Sequence, residues 1–236
     1  MRFDYARTRS HRDGESRASV LGTGGGGSMR RGGGRPRVGR GSNTRESTVK
    51  ASSGLLSGSV VFESSVRRDD QGFVVCTFDA EIAGAAGVDG RQLVQETRTR
   101  TVRGAVRGLH VRTDGGVGHL VQCTRGAIVD VAVDLRPASP TYRLWMTVVL
   151  DDVDHRSVWL PAGLAHGYQA LTGTADVCCR VNRIERPECE VAIRYDDPDL
   201  AIPWPLPVSS VSPRDDRAPS LAVVEPMLTD WFGALV

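Results

Sequence analysis

The sequence predicts an all-β domain of the sandwich or barrel kind, preceded by a glycine- and arginine-rich extension. Three observations carry that reading. Short runs rich in β-branched residues recur at intervals of roughly 8–15 residues, many separated by Gly, Pro or Asp pairs, a spacing typical of stacked antiparallel strands. One run alternates: Ile128, Asp130, Ala132 and Asp134 fall on one face, and Val129, Val131, Val133 and Leu135 on the other. One face of that strand is therefore expected to be core and the other to look into something polar. Helical periodicity, finally, is scarce.

Residues 1–56 read as a disordered extension, because they combine Gly24-Gly25-Gly26-Gly27 and Gly32-Gly33-Gly34 with many arginines and no apolar period. A dispensable tail is the favoured reading, with a start codon placed too early or an RNA-binding Arg/Gly segment as alternatives. Residues 57–236 form the predicted folded domain. Its strands are expected at Val60-Val61-Phe62, Phe73 to Phe78, Ala127 to Leu135, Leu144 to Leu150, Ser157 to Leu160 and Ala175 to Val181. One or two helical turns fit Phe78 to Ala86, and a short terminal helix fits Glu225 to Phe232 with Pro226 near its start. Pro203, Pro205 and Pro207 around Trp204 favour an extended path instead.

Charge and composition narrow the function. Of 30 basic and 28 acidic residues, 12 and four lie in residues 1–50, which leaves 18 and 24 for the remainder. The body is thus net acidic, and a nucleic-acid partner is not expected for it. Lys50 is the only lysine, so lysine Schiff-base chemistry, pyridoxal phosphate included, is excluded from the body. The five cysteines are odd in number and form no Cys-x-x-Cys, and no apolar leader opens the chain; reduced thiols in a cytoplasmic protein are expected. No run of 18 apolar residues exists, so no membrane partner is expected.

Two histidines stand in unusual settings. Arg107-Gly108-Leu109-His110 places an imidazole and a guanidinium beside a glycine, and Pro161-Ala162-Gly163-Leu164-Ala165-His166-Gly167 follows a strand. A carboxylate behind either imidazole, for which Tyr195-Asp196-Asp197-Pro198 is a source, would make a base that works at neutral pH. Asp-Asp-Pro is equally ordinary turn chemistry. The Pro161-x-Gly163-x-x-His166 frame resembles the second motif of cupin jelly rolls. His110 is followed by Val111 and Arg112, so the His-x-His pair that metal-binding cupins use is missing, and a metal-free site is expected.

Taken together, five blocks resemble the dTDP-4-dehydrorhamnose 3,5-epimerase family over Val60 to Leu221. They are Val102 to His110, Arg125 to Arg136, Pro161 to Gly167, Ile193 to Pro198 with Trp204-Pro205, and Ser212 to Leu221. The resemblance implies an all-β cupin-type jelly roll (a double-stranded β-helix), a homodimer, and epimerisation at C3, C5 or both of a dTDP-4-keto-6-deoxyhexose without a cofactor. The pathway implied is rhamnose-like or secondary-metabolite deoxysugar biosynthesis. It makes His110 the base and Asp197, or less readily Asp196, its orienting carboxylate. It places Arg107 on the diphosphate, His166 on the phosphate or carbonyl side, and Gln95 and Arg100 on the substrate or the nucleotide of a partner subunit. Gln71 stands where the family has an arginine, His119 where it has a lysine that supports the enolate, and Glu185 where it has an acid tyrosine. Two readings follow: a working enzyme in which protonated His119 and a neutral Glu185 substitute, or a nucleotide-sugar-binding paralogue with impaired catalysis.

Overall fold

Antiparallel pairing of the apolar runs builds two six-stranded sheets. The computed structural model describes residues 8–9, 48–114, 116–184 and 186–233. The first sheet runs in the order β1 (Thr8–Arg9), β10 (Trp145–Asp151), β9 (Ala127–Asp134), β12 (Leu164–Ala170), β7 (Val106–Arg112) and β14 (Glu190–Ala192). The second runs β2 (Val49–Ser53), β3 (Val60–Ser64), β11 (Ser157–Leu160), β8 (His119–Arg125), β13 (Thr174–Val181) and β6 (Gln95–Val102). A separate hairpin joins β4 (Val66–Asp69) to β5 (Gly72–Val75). The non-consecutive strand orders are those of a jelly roll.

The inner faces of the sheets meet in one cluster. Val121 and Cys123 of β8, Val158 and Leu160 of β11 and Val177 of β13 pack with Ile128 and Ala132 of β9, Met146 and Leu150 of β10, and Tyr168 of β12. A second cluster covers the outer face of the first sheet. There Leu109, Val111, Val131 and Val133 meet Ile193, Leu200 and the helix α3 (Leu221–Gly233). Each such buried Leu or Val contributes roughly 1.5–3 kcal/mol relative to exposure. Strand β9 is therefore buried on both faces, not on one as its alternation suggests. Its polar face points inward, with Asp134 bonded by Arg136, Ser139 and Thr141 and Asp130 lying in the interior.

Two boundaries differ from expectation. The ordered body begins before residue 57, since β2 pairs along β3 and both Val49 and Leu56 are buried; β1 also falls within the expected extension. The rest of that extension, residues 1–7 and 10–47, lies outside the described residues. Helix α3 starts four residues earlier than Glu225 and runs through Pro226. Leu221, Val224, Leu228 and Phe232 lie in one buried stripe, and that burial outweighs the hydrogen bond a mid-helix proline removes. The short helix α1 (Ala80–Ala85) is where it is expected, capped by the Asp79 carboxylate on the amides of Glu81 and Ile82. No helix among the described residues is long and apolar enough to cross a membrane.

Candidate active site

The site is built on a bulge between β7 and β12. His166 lies opposite His110 and Tyr168 opposite Arg107, so two residues of β12 span three of β7. Residues three apart on a regular strand face opposite ways; the extra residue turns Arg107 to the same face as His110. Glycine makes this possible. Gly108 has φ 111°, and a Cβ there would come within 2.6 Å of Gly167 Cα. A Cβ on Gly167 would come within 2.6 Å of the Arg107 carbonyl oxygen. The two backbones touch directly, which only a pair of glycines allows.

His110 is held by Asp215, whose Oδ1 lies 2.8 Å from Nε2. Asp215 sits in the four-residue helix α2 (Pro213–Asp216), begun by Ser212 as N-cap and Pro213 in the first turn. Its amide donates to Ser212 Oγ at 3.1 Å, and its Oδ2 accepts from the Gly108 amide at 3.3 Å. Burial works to raise the Asp215 carboxyl, but the hydrogen bond and charge of His110, the Gly108 amide and the Ser212 side chain outweigh it and hold it below the usual carboxylate value. With Nε2 occupied, Nδ1 is the nitrogen left to take a proton. Glu190 Oε1 lies 3.8 Å from Nδ1 and is itself bound by Arg214.

A second group faces the same interior. The rings of His119 on β8 and His166 on β12 stack at 4.9 Å between centroids, tilted by 44°. His166 Nδ1 is 3.5 Å from Asp130 Oδ2. His119 Nδ1, His166 Nδ1 and Asp130 Oδ2 are all buried without a hydrogen-bond partner in the protein. Burial above all, and then the neighbouring charges of His166, Arg112 and His110, pushes the His119 imidazole well below its ordinary value. Burial raises the Asp130 carboxyl, partly offset by His166. Beside them the Thr101 hydroxyl links Tyr168 Oη and Arg107 Nε, each at 3.0 Å. Among the described residues no group of three or more His, Cys, Asp or Glu is placed to hold a metal ion.

The family model for dTDP-4-dehydrorhamnose 3,5-epimerase matches residues 54–223. The chain belongs to the dTDP-4-dehydrorhamnose 3,5-epimerase family. It is accordingly an isomerase. A dTDP-4-dehydrorhamnose 3,5-epimerase of Methanothermobacter thermautotrophicus is 40% identical over 151 residues, which is 64% of this chain and 81% of that protein. Among solved structures it is similar to NovW, a 4-keto-6-deoxy sugar epimerase from the novobiocin cluster of Streptomyces spheroides. The TM-score is 0.72 at 34% identity, covering 81% of this chain and 94% of that one. RmlC of Legionella pneumophila, solved with dTDP-4-keto-L-rhamnose, gives 0.71 at 33% identity over 77% of this chain and 97% of that one.

Within this epimerase fold the structure gathers some predicted site residues and separates others. His110, His166, His119 and Arg107 share one interior face, and Gln95 lies on the same face of β6 as Thr101 by alternation. The carboxylate behind His110 is Asp215, which corrects the assignment to Asp197. Asp197 Oδ1 accepts from the amides of Asp199 and Leu200, and Oδ2 from the Leu221 amide at 2.7 Å. It therefore closes a turn and fixes the start of α3. Asp196 pairs with Arg194 instead. Arg100 projects from the opposite face of β6 and is held by Asp176, with Nε at 2.6 Å. Gln71 is exposed at the turn of the β4–β5 hairpin, away from the histidines. Burial above all disfavours the charged form of the His119 ring, which speaks against the protonated stand-in for lysine expected there. Glu185 lies outside the described residues.

Sequence reasoning missed Asp215 as the partner of His110, as well as Glu190 and Tyr168. A signal for Asp215 was there. Ser212-Pro213-x-Asp215 has the form of a helix start, with an acidic residue at the third position of the first turn.

Proposed function

We propose that the protein epimerises C3, C5 or both of a dTDP-4-keto-6-deoxyhexose, with His110 as base and Asp215 as its positioning partner. The observation that carries this is the 2.8 Å His110–Asp215 hydrogen bond, facing the His119–His166–Asp130 group across the Gly108–Gly167 bulge. Asp215 accepts from Nε2–H, which fixes the tautomer and leaves the Nδ1 lone pair as base. Nδ1 removes the proton next to the ketone, and the C–H electron pair becomes the enolate. Asp215 then stabilises the imidazolium. Protonation from the opposite face, by Glu185 or by solvent, inverts the carbon, and no bound redox group is needed for the step.

Arg107 suits the diphosphate, being a permanently charged planar fork at the exposed rim of the same face. His166 suits the ketone or phosphate side, and Gln95 on β6 the substrate or the nucleotide. The same reading takes the protein to be a cytoplasmic homodimer. Exposed apolar side chains at Phe73, Val74, Val94 and Val102 support a partner surface, and five cysteines outside any disulfide suit a reducing compartment.

The test is solvent exchange. Purified protein given dTDP-4-keto-6-deoxyglucose in deuterated water should incorporate deuterium at C3, C5 or both, and His110→Ala should lower the rate about 10²–10⁴-fold. Equal background exchange in wild type and variant would overturn the reading. Binding of the nucleotide sugar without exchange would leave only the impaired paralogue.

A further inference from the structure

His110 stands between two carboxylates that are held differently. Asp215 Oδ1 meets Nε2 at 2.8 Å, and Glu190 Oε1 lies 3.8 Å from Nδ1. Glu190 opens β14, where it pairs with Arg112 of β7 while Ala192 pairs with His110. Paired residues of an antiparallel ladder share a face, so Glu190 is the diagonal neighbour of His110 on that face, within reach of a long side chain. Thr113 fixes the start of β14, its amide and hydroxyl both donating to the Cys189 carbonyl, at 3.0 and 2.9 Å. Arg214 fixes the side chain: Nη1 donates to Glu190 Oε1, and Nη2 to the Glu190 carbonyl oxygen at 3.1 Å. Arg214 and Asp215 are consecutive residues of α2, so one helical turn sets both carboxylates against one ring.

Asp215 is closed off, with a side chain 4% exposed, Oδ1 taken by His110 and Oδ2 by the Gly108 amide. The Glu190 side chain is 22% exposed, so it faces the ring on one side and water on the other. Epimerisation makes that difference matter. A protein that removes a proton on one face and adds another on the opposite face ends each inversion with its base protonated. The imidazolium must shed that proton before it acts again, and twice where C3 and C5 of one bound sugar are both inverted. Nε2 is committed to Asp215, and a sugar carbon held against Nδ1 screens that nitrogen from bulk water. A 3.8 Å approach is long for a hydrogen bond, but such contacts tighten when charge appears, since N⁺–H···O⁻ bonds close to about 2.7–2.9 Å.

We propose that Glu190 is the proton exit of the base. His110 takes the substrate proton on Nδ1 and leaves the C–H electron pair on the enolate. Nδ1–H then gives that proton to the Glu190 carboxylate, an oxygen lone pair forms the new O–H bond, and the imidazole regains its own lone pair. The carboxylic acid passes the proton to water or a buffer base and is a carboxylate again. Glu190 acts through His110 and does not touch the sugar, while Arg214 holds it in line. The inference rests on the epimerase reading above.

Comparing the first proton abstraction with steady-state turnover tests this, because only repeated turnover needs the base emptied. Glu190→Gln keeps the length and can still accept from Arg214, but its amide does not take up a proton. With the variant in excess over dTDP-4-keto-6-deoxyglucose in deuterated water, loss of the first substrate proton should run within about threefold of wild type, whereas steady-state kcat should fall about tenfold or more. Raising the imidazole concentration of the buffer should bring kcat back to within about threefold of wild type, since a small soluble base can empty the ring in place of Glu190. Wild-type kcat in the variant, a deficit already present in the first abstraction, or one that imidazole leaves untouched would each overturn the proposal while leaving the epimerase reading intact. If Glu190→Gln does not fold, Glu190→Ala is read by the same measurements. A wild type that exchanges nothing would defeat the epimerase reading itself, and this inference with it.

Discussion

The two sides of this site are held in opposite ways. On the β7–α2 side, His110, Asp215, Ser212 and the Gly108 amide form a closed chain of hydrogen bonds. On the β8–β9–β12 side, His119, His166 and Asp130 are as deeply buried, yet each keeps a polar atom without a protein partner. An unsatisfied buried polar atom costs about 1–3 kcal/mol, so a fold retains three of them together only where something other than stability is served. The contrast teaches which side is finished by the protein and which is left for the ligand. On the proposed mechanism the base is preorganised before substrate arrives, whereas the His119–His166–Asp130 side offers donors and acceptors that a sugar ketone and its hydroxyls would complete.

The most severe way to break that contrast is to disturb the finished side. Asp215→Asn keeps the shape but offers an amide that can donate to Nε2, which would place the imidazole proton on Nδ1, where the base must have its lone pair. A loss of about 10³–10⁴-fold in kcat is expected, by analogy with the serine-protease triad, with nucleotide binding retained. Exchange kinetics on the variant check this, and near-normal turnover would show that Asp215 merely packs against the ring.

Asp197 sharpens the same comparison from outside the site. Its carboxylate ties the turn at Asp199 and Leu200 to the first amide of α3, so Asp197→Asn should weaken the docking of that helix. The expected cost is about 1–3 kcal/mol of stability, read in a denaturant melt, with kcat for the folded fraction near that of wild type. If Asp197→Asn lost turnover and kept its stability, the roles assigned to the two aspartates would be reversed.

This pair of aspartates also shows how far sequence could reach. The jelly roll was legible because alternation and turn spacing are local properties, and the alternating run became β9 in the register drawn from it. The choice of carboxylate was not. Asp197 and Asp215 each stand in an Asp-Asp step close to a proline, and which of them meets His110 is settled by α2 folding back onto β7 across 105 residues of chain. Likewise the His119 position could be named, but its charge state depends on how closely β8 is covered by β12. The bulge was hinted at only by two glycines, Gly108 and Gly167, whose contact no spacing rule reveals. Helix α3 outran its proline because a tertiary stripe, not local propensity, decided its length.

The smallest effect concerns the unfinished side and is read as stability against pH. Unfolded, His119 takes up a proton near pH 6.5; folded, its ring stays neutral to well below that value. Between the two values the unfolded chain binds more protons than the native one, so this group costs stability progressively as pH falls below about 6.5 and stops doing so only below its folded value. Asp215 acts lower down. Its depressed carboxyl supplies stability present above about pH 3.9 and lost as pH falls through the folded value. Melting temperatures of wild type and His119→Asn, compared from pH 7.5 to 5, should therefore converge or cross as pH drops, with wild type showing the steeper fall. Taking the difference between the two proteins removes the opposite slope that the raised Asp130 carboxyl contributes to both. Parallel curves would mean that His119 takes up its proton as readily in the folded chain as in the unfolded one, and that burial does not hold the ring neutral.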